Sequence, residues 1–289
     1  MHTPVMVDEV VEHLAPSRGG VFVDCTVGLG GHARVLLDAG ATRLIGIDRD
    51  RDALARAGEV LTPFGDRVSL VHGDYRNLAE VLDERGIETV DGVLADLGVS
   101  SMQLDAPDRG FSFRRDEPLD MRMDRSSGAT AADMLAAADE RTLADVIYEF
   151  GEERHARRVA RAIVDAERTR RIETTGRLAE VVRRAIPRKG YSRIDPATRT
   201  FQAVRIWVNR ELDGLDGFLS RAVGRLAPAG RLVVITFHSL EDRVVKHTLR
   251  ALQTAGAITI RTKRPQVPTE AEIERNPRAR SAKLRAATR

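Results

Sequence analysis

The 289-residue sequence holds a single cysteine, Cys25, so no disulfide can form within the chain and no cysteine-based zinc cluster can be built. Long apolar runs are missing too: nothing approaches the roughly 18 consecutive apolar residues of a membrane span. Met1-His2-Thr3-Pro4 opens on a mixed polar segment, without the basic and apolar stretches of a secretory signal. No internal repeat is visible. A soluble, cytoplasmic protein of one or two domains is expected.

What is present in quantity is charge, unevenly placed. Residues 151–210 carry sixteen Lys or Arg against seven Asp or Glu, and residues 261–289 carry nine against three. The net charge of the whole chain is only +3, so the remainder is acidic. Two basic regions on an otherwise acidic protein suit a polyanionic partner, nucleic acid above all; an Arg-rich solvated surface is the plainer alternative.

Short apolar runs alternate with helical patterns through the first hundred residues. Strands are expected at Val21–Asp24, Leu44–Asp48, Val68–His72 and Val90–Asp96, with helices near 31–39, 50–61 and 76–86. This rhythm predicts βαβ units and a parallel sheet, and the unbroken apolar strands predict burial on both faces. A charged, loop-like stretch and then helical patterning follow to about Asn209, broken at Pro187, Gly190 and Pro196. The rhythm resumes with a helix near 210–226, a turn at Ala227–Gly230, a strand at Leu232–Phe237, a helix at Leu240–Thr254 and a strand at Ile258–Thr262. A last strand is expected near 281–287. The expected fold class is α/β, a Rossmann-like sheet of residues 1–104 and 207–289 with an all-helical insertion at 105–206.

Gly28-Leu29-Gly30-Gly31-His32-Ala33 joins the first strand to its helix, where glycines let the backbone turn tightly and approach a ligand. The loop matches a dinucleotide fingerprint only loosely and is weak evidence alone. Asp48 ends the second strand about 20 residues on, placed to accept bonds from ribose hydroxyls. Asp24, at the end of the first strand, would repel the diphosphate of NAD but suits the sulfonium and ammonium of S-adenosylmethionine. The pair therefore favours the methyl donor.

Other candidates also fall at strand ends, where open α/β sheets bind ligands. Tyr75 follows the third strand and can stack on adenine or simply pack in the core. Asp96 ends the fourth strand, at the mouth of the site. His238 and Ser239 follow the fifth long strand, and Ser239 with Asp242 reads as the cap of the next helix.

The quoted residues belong to longer stretches that resemble the RsmH (MraW) family of bacterial methyltransferases. These include His2-Thr3-Pro4-Val5, Gly30-Gly31-His32, Ile47-Asp48-Arg49-Asp50 and Asp96-Leu97-Gly98-Val99-Ser100-Ser101. Further on come Arg109-Gly110-Phe111-Ser112-Phe113, Pro118-Leu119-Asp120-Met121-Arg122-Met123-Asp124 and Gly151-Glu152-Glu153-Arg154. The remainder are Pro196–Ile206, Phe237–Arg243 and Asn276–Ser281. The family methylates the N4 amine of a cytidine in the decoding region of 16S ribosomal RNA. The resemblance implies S-adenosylmethionine as cofactor, the small ribosomal subunit as partner, and no metal. It further implies cofactor contacts from Gly30, Gly31, His32, Asp48, Tyr75, Asp96 and Gln103. This chain departs from the pattern at Cys25, where a small residue is usual, and at Met102, where Pro commonly precedes the Gln.

Transfer of a methyl group from a sulfonium is an in-line displacement that needs no covalent enzyme intermediate. The cytosine amine is a poor nucleophile, so it must be held and polarised, and Asp96 is the expected catalytic residue for that. The Asp/Asn/Ser-Pro-Pro-aromatic segment of other amino-methyltransferases is absent; Phe111, Phe113 and Phe201 are candidates to stack on the base, or core residues. An NAD-dependent oxidoreductase and an RNA-binding assembly factor with a vestigial cofactor site are the competing readings.

Overall fold

The computed structural model describes residues 4–187 and 195–289. His2 and Thr3, in the first matching stretch, and Gly190, an expected helix break, lie outside the described residues. Contacts divide the chain into two units, one running to Gly98 and resuming at Leu212, the other spanning Val99–Glu211. The second unit takes in residues 99–104 and 207–211, which the sequence reading leaves with the sheet. No helix among the described residues is long and apolar enough to cross a membrane.

In chain order the first unit begins with α1 (Val7–Leu14), β1 (Val21–Asp24), α2 (Gly31–Asp38), β2 (Arg43–Asp48) and α3 (Arg51–Leu61). It continues through β3 (Val68–His72), α4 (Leu78–Asp83) and β4 (Val90–Asp96). The second unit holds α5 (Ser101–Asp105), α6 (Ala131–Ala137), α7 (Glu140–Gly151), α8 (Ala156–Thr169), α9 (Thr175–Ala185) and α10 (Ala197–Asn209). The first unit then resumes with α11 (Leu215–Gly224), β5 (Leu226–Thr236), α12 (Ser239–Thr254), β6 (Thr259–Ile260), α13 (Glu270–Arg275) and β7 (Lys283–Thr288).

The seven strands form one sheet in the order β3-β2-β1-β4-β5-β7-β6. Strands β1 to β5 pair in parallel, while β7 runs antiparallel to both β5 and β6. The order reverses beside β1, so its carboxyl end and that of β4 flank the crevice where such sheets bind ligands.

Successive residues of a strand point to opposite faces, and both faces are covered. Val23, Val93, Ala95, Leu232 and Val234 enter one core with Leu78, Phe218 and Val245. Phe22, Leu94, Val233 and Ile235 enter the other with Val10, Leu36 and Leu61. This explains apolar runs without polar alternation. Truncating a fully buried member such as Leu94 to Ala should cost about 2–5 kcal/mol.

The Ala227–Gly230 turn is real but lies inside β5 rather than before it. Leu226 pairs with Val90 and Arg231 with Gly92, so the four residues loop out as a bulge within the ladder. Ala229 takes φ 63° there, and Gly230 O accepts the Arg289 N–H at 3.0 Å.

In the helical unit the described residues form no strand, only an isolated bridge between Pro118 and Thr174. Its core gathers Leu119, Met121, Leu135, Ile147, Ile163, Leu178 and Val204. The Arg109–Asp124 stretch is fastened to α10: Asn209 Nδ2 donates to Met121 O and Asn209 Oδ1 accepts the Met123 N–H, both at 2.7 Å. Gly110 is required here, because a Cβ would lie 2.6 Å from Asp120 N and φ is +72°. Thr130 caps α6 in a capping box with Asp133, and Thr174 caps α9.

Candidate active site

Strand β1 ends in Asp24, and the chain turns through Cys25 to Gly30 before α2. Two positive-φ glycines, Gly28 at 52° and Gly30 at 81°, make the turn. At Gly30 a Cβ would meet Leu61 Cγ at 3.2 Å. The turn is tied to its neighbours on both sides. Cys25 N donates to Leu94 O at 2.8 Å, Val27 N to Ile47 O at 3.0 Å, and Asp96 N to Thr26 Oγ1 at 2.7 Å. Thr26, which sequence reasoning passed over, thus joins the glycine turn to the end of β4. Its position beside Asp24 in the loop was the available signal.

The acids expected at the strand ends come together around this turn. Asp48 accepts from Gly28 N through Oδ2 at 2.7 Å and from Asp50 N through Oδ1 at 2.9 Å. The Arg49 N–H also bonds to this carboxylate, which leaves part of its acceptor capacity for a ligand. Asp24 is buried, with Oδ1 accepting from Thr26 N at 3.2 Å and Oδ2 enclosed without a hydrogen-bond partner among the described residues. Asp96 Oδ1 is likewise enclosed without a partner among them, although 23% of the side chain is exposed.

Burial dominates their ionisation. It raises the Asp24 carboxyl to about 7, with the Thr26 N–H opposing and the charge of Asp48 adding. Burial pushes Asp96 well above the carboxylate range, and the charges of Asp24 and Glu241 push further. Asp48 is also raised by burial, against the N–H groups of Asp50 and Gly28. Orphaned carboxylate oxygens in a dry, acidic crevice call for a cation. The sulfonium and ammonium of S-adenosylmethionine fit that demand, and a diphosphate does not.

His32 lies in the first turn of α2, buried, with Nε2 2.8 Å from Val5 O and Nδ1 3.7 Å from Asp96 Oδ2. Gly31 opens the same helix, where a Cβ would run into Pro4 Cγ at 2.6 Å. Tyr75 sits in a short turn capped by Asp74 and packs edge-on to Phe218 at 4.7 Å, one ring edge committed to the core. Gln103 belongs to the helical unit, where Ser100 N donates to its Oε1 at 3.0 Å and Ser100 Oγ accepts its N–H at 3.2 Å. Its side-chain oxygen therefore serves the capping box of α5.

The cap of α12 differs from expectation. His238, not Ser239, occupies the N-cap, and its Nδ1 accepts the Glu241 N–H at 3.4 Å. Asp242 turns instead to Arg285 of β7, with Nε to Oδ1 at 2.7 Å. Glu241, missed in the sequence, is 2% exposed and accepts from Phe237 N through Oε2 at 3.0 Å. Its third place in the helix was the signal, since a carboxylate there commonly reaches back to the chain before the cap.

Phe111 and Phe201 are buried in the helical core, and Phe113 packs edge-on to Phe201 at 4.7 Å with the Arg183 guanidinium over its ring at 5.5 Å. All three do structural work. Helix α8 buries Val159, Ala160 and Ile163 and turns Arg157, Arg158, Arg161 and Arg168 to its exposed side. Arg161 meets Glu140 and Arg168 meets Asp165, whereas Arg157 and Arg158 make no ion pair among the described residues.

Known proteins resemble this chain over its whole length. A small-subunit ribosomal RNA methyltransferase H from Deinococcus radiodurans is 54% identical, over all of this chain and 89% of its own length. One of the same description from Bradyrhizobium diazoefficiens is 51% identical, over all of this chain and 91% of its own. Among solved structures, an rRNA methylase from Streptococcus thermophilus aligns over the whole chain and 99% of its own, at 11% identity and a TM-score of 0.45. That likeness is too slight to add to the argument. The MraW methylase family matches residues 1–289, in accord with the S-adenosylmethionine chemistry and the fold expected from the sequence. The chain belongs to the MraW methylase family.

Proposed function

We propose that this protein transfers a methyl group from S-adenosylmethionine to the N4 amine of a cytidine in the decoding region of 16S ribosomal RNA. The observation that carries the reading is the pair of enclosed carboxylate oxygens on Asp24 and Asp96, without a hydrogen-bond partner among the described residues, beside a glycine turn held by Asp48. The relatives' description, a small-subunit ribosomal RNA methyltransferase, supports the substrate class. A cytoplasmic address follows from that substrate.

When bound, the cofactor supplies a methyl carbon made electrophilic by its sulfonium. The chain's own residues do the rest. Gly30 and Gly31 let the backbone approach the nucleoside, Asp48 holds the ribose, and Tyr75 offers an aromatic edge to the adenine. His32 completes the cofactor contacts of this unit. Asp96 accepts the hydrogens of the target amine, orienting its lone pair along the line of displacement and favouring the pyramidal nitrogen of the transition state.

Methylation at carbon 5 of cytosine would require a thiolate nucleophile. Cys25 is 2% exposed, and burial together with the charge of Asp24 holds its thiol well above the usual range, which argues against that chemistry. The helical unit supplies the RNA contacts, with exposed arginines such as Arg157 and Arg158 on phosphate. A base inside a helix is unreachable, so the cytidine must swing out of its stack.

The test is methyl transfer into small ribosomal subunits, followed by nucleoside mass spectrometry. N4-methylcytidine is the expected product. A 5-methyl or ring-nitrogen product overturns the assignment.

A further inference from the structure

Two basic regions stand out in the sequence, and the helical unit accounts for only one. In the second, residues 261–289, part of the charge is committed to the fold. Lys283 and Arg285 meet Asp242 at 3.6 and 2.7 Å, Arg275 turns back to Ala271 O at 3.2 Å, and Arg289 donates to Gly224 O at 2.9 Å. Arg261, Lys263 and Arg264 are exposed, and their side chains make no ion pair or hydrogen bond among the described residues.

The backbone that carries these three is held in place. Arg261 N donates to Ala286 O at 2.8 Å and Thr262 Oγ1 accepts the Ala286 N–H at 2.9 Å, which pins the segment to β7. Gln266 exchanges both backbone bonds with Leu284, and its Oε1 lies 2.7 Å from His13 Nε2 of α1. On the other side of β7, Arg231 of β5 pairs with Thr288. Its Nη1 donates to His13 O at 2.9 Å and to Glu12 O at 3.3 Å, capping the last turn of α1. Arg18 follows that helix in a short turn.

Capping explains Arg231, but not the company it keeps. Burial, and then the like charges of Arg18 and Arg261, hold its guanidinium below its ordinary value. Its Nε is enclosed without a hydrogen-bond partner, and none of the three arginines forms an ion pair, among the described residues. The carboxylates nearby do not answer them: Asp91 Oδ2 accepts the Val21 N–H at 2.7 Å, and Glu12 makes no ion pair among the described residues. Guanidinium groups gathered in this way suit an anion, and their planar forks match the oxygens of a phosphate.

We propose that Arg18, Arg231 and Arg261 form a phosphate site on the sheet unit, a second hold on ribosomal RNA at the end of the strands opposite the methyl-transfer crevice. Asp96 pairs with Ile235, four residues along β5 from Arg231, which is about 13 Å. A phosphate contact gives position and salt-dependent affinity rather than choice of base. The site therefore helps to fix how the subunit lies on the enzyme without touching the target cytidine. The inference rests on the ribosomal RNA reading above.

Arg18→Glu with Arg261→Glu reverses two charges whose side chains make no other bond among the described residues, so circular dichroism and melting should match the parent. Steady-state methylation of small ribosomal subunits should show KM raised about tenfold with kcat within about twofold, and calorimetry an unchanged affinity for S-adenosylmethionine. Arg18→Ala with Arg261→Ala should flatten the dependence of log K on log salt by about 1.4, for two contacts to single-stranded RNA. That pair also keeps the test open if the charge reversal fails to fold. Arg56→Glu with Arg250→Glu makes the same change in net charge at two other exposed, unpaired arginines of this unit, and should leave KM near that of the parent. An unchanged KM and salt slope in the Arg18 and Arg261 variants, or an equal rise in KM in the Arg56 and Arg250 variant, would overturn the proposal. Inorganic phosphate that binds the parent but not the charge-reversed variant, with KM unchanged, assigns the arginines to a free anion and overturns it too. Failure of the parent protein to methylate small subunits would instead overturn the ribosomal RNA reading itself.

Discussion

The Gly28 N–H donates to Asp48 Oδ2 at 2.7 Å, while Asp50 N donates to Oδ1 of the same carboxylate at 2.9 Å. One side chain therefore holds both the glycine turn and the entry to α3. Asp48→Asn sets an amide NH2 against one of these N–H groups. It should destabilise the protein by about 1–3 kcal/mol and weaken S-adenosylmethionine binding by about tenfold or more. Thermal melts and calorimetry check the two effects separately; unchanged affinity removes Asp48 from the cofactor site.

Asp24 gives the fold a pH dependence of predictable sign. Its carboxyl is raised from 3.8 to about 7, so the folded state favours the protonated form. The stability it contributes is fully present below about 3.8 and is lost as pH rises through about 7. Asp24→Asn keeps the shape and an acceptor for the Thr26 N–H without the charge. It should be more stable than the parent at pH 8 by about 4 kcal/mol, match it near pH 4, and bind S-adenosylmethionine less well. Identical melting curves for the two proteins across that range contradict the argument.

Asp96→Ala should lower methyl transfer by more than about tenfold while circular dichroism and melting show an intact fold. Its backbone N–H bond to Thr26 Oγ1 is independent of the side chain, so the turn survives the substitution. Turnover close to that of the parent removes Asp96 from the mechanism.

Gly30→Ala tests the turn itself. At φ +81° a Cβ is strained, and it would sit 3.2 Å from Leu61 Cγ. A loss of about 1–2 kcal/mol is expected, with weaker cofactor binding, read by denaturant titration and calorimetry.

Replacing Arg157 and Arg158 together by Ala should raise KM for small subunits several-fold and leave S-adenosylmethionine affinity unchanged. The dependence of log K on log salt for RNA binding should flatten by about 0.7 for each lost phosphate contact. An unchanged salt slope places the RNA elsewhere.

The sheet was legible because a parallel strand covered on both faces must be apolar throughout; Val21–Asp24, Val68–His72 and Val90–Asp96 fall where that rule puts them. The acids Asp24, Asp48 and Asp96 were legible because a carboxylate at the carboxyl end of such a strand has few structural excuses. What escaped were relationships between distant residues. Nothing local says that Asn209 fastens the Met121–Met123 backbone, or that Asp242 is taken by Arg285 so that His238 is left to cap α12. The β5 bulge escaped for the same reason: a Pro-Ala-Gly turn ordinarily ends a strand, and only pairing on both sides of it keeps the ladder going. Phe111, Phe113 and Phe201 show the limit of composition, since an aromatic that stacks on a base and one that fills a core look alike in sequence.

Strand β7 is the last in chain order yet lies inside the sheet, wedged between β5 and β6. Until residues 283–288 leave the ribosome, β5 presents an open hydrogen-bonding rim, with Leu284, Ala286 and Ala287 missing from the two cores they complete. Between the emergence of β5 and that of β7 the nascent chain is therefore open to strand-adding neighbours, and loss of residues 283–288 by cleavage between Thr236 and Lys283 would return the folded protein to that vulnerable condition.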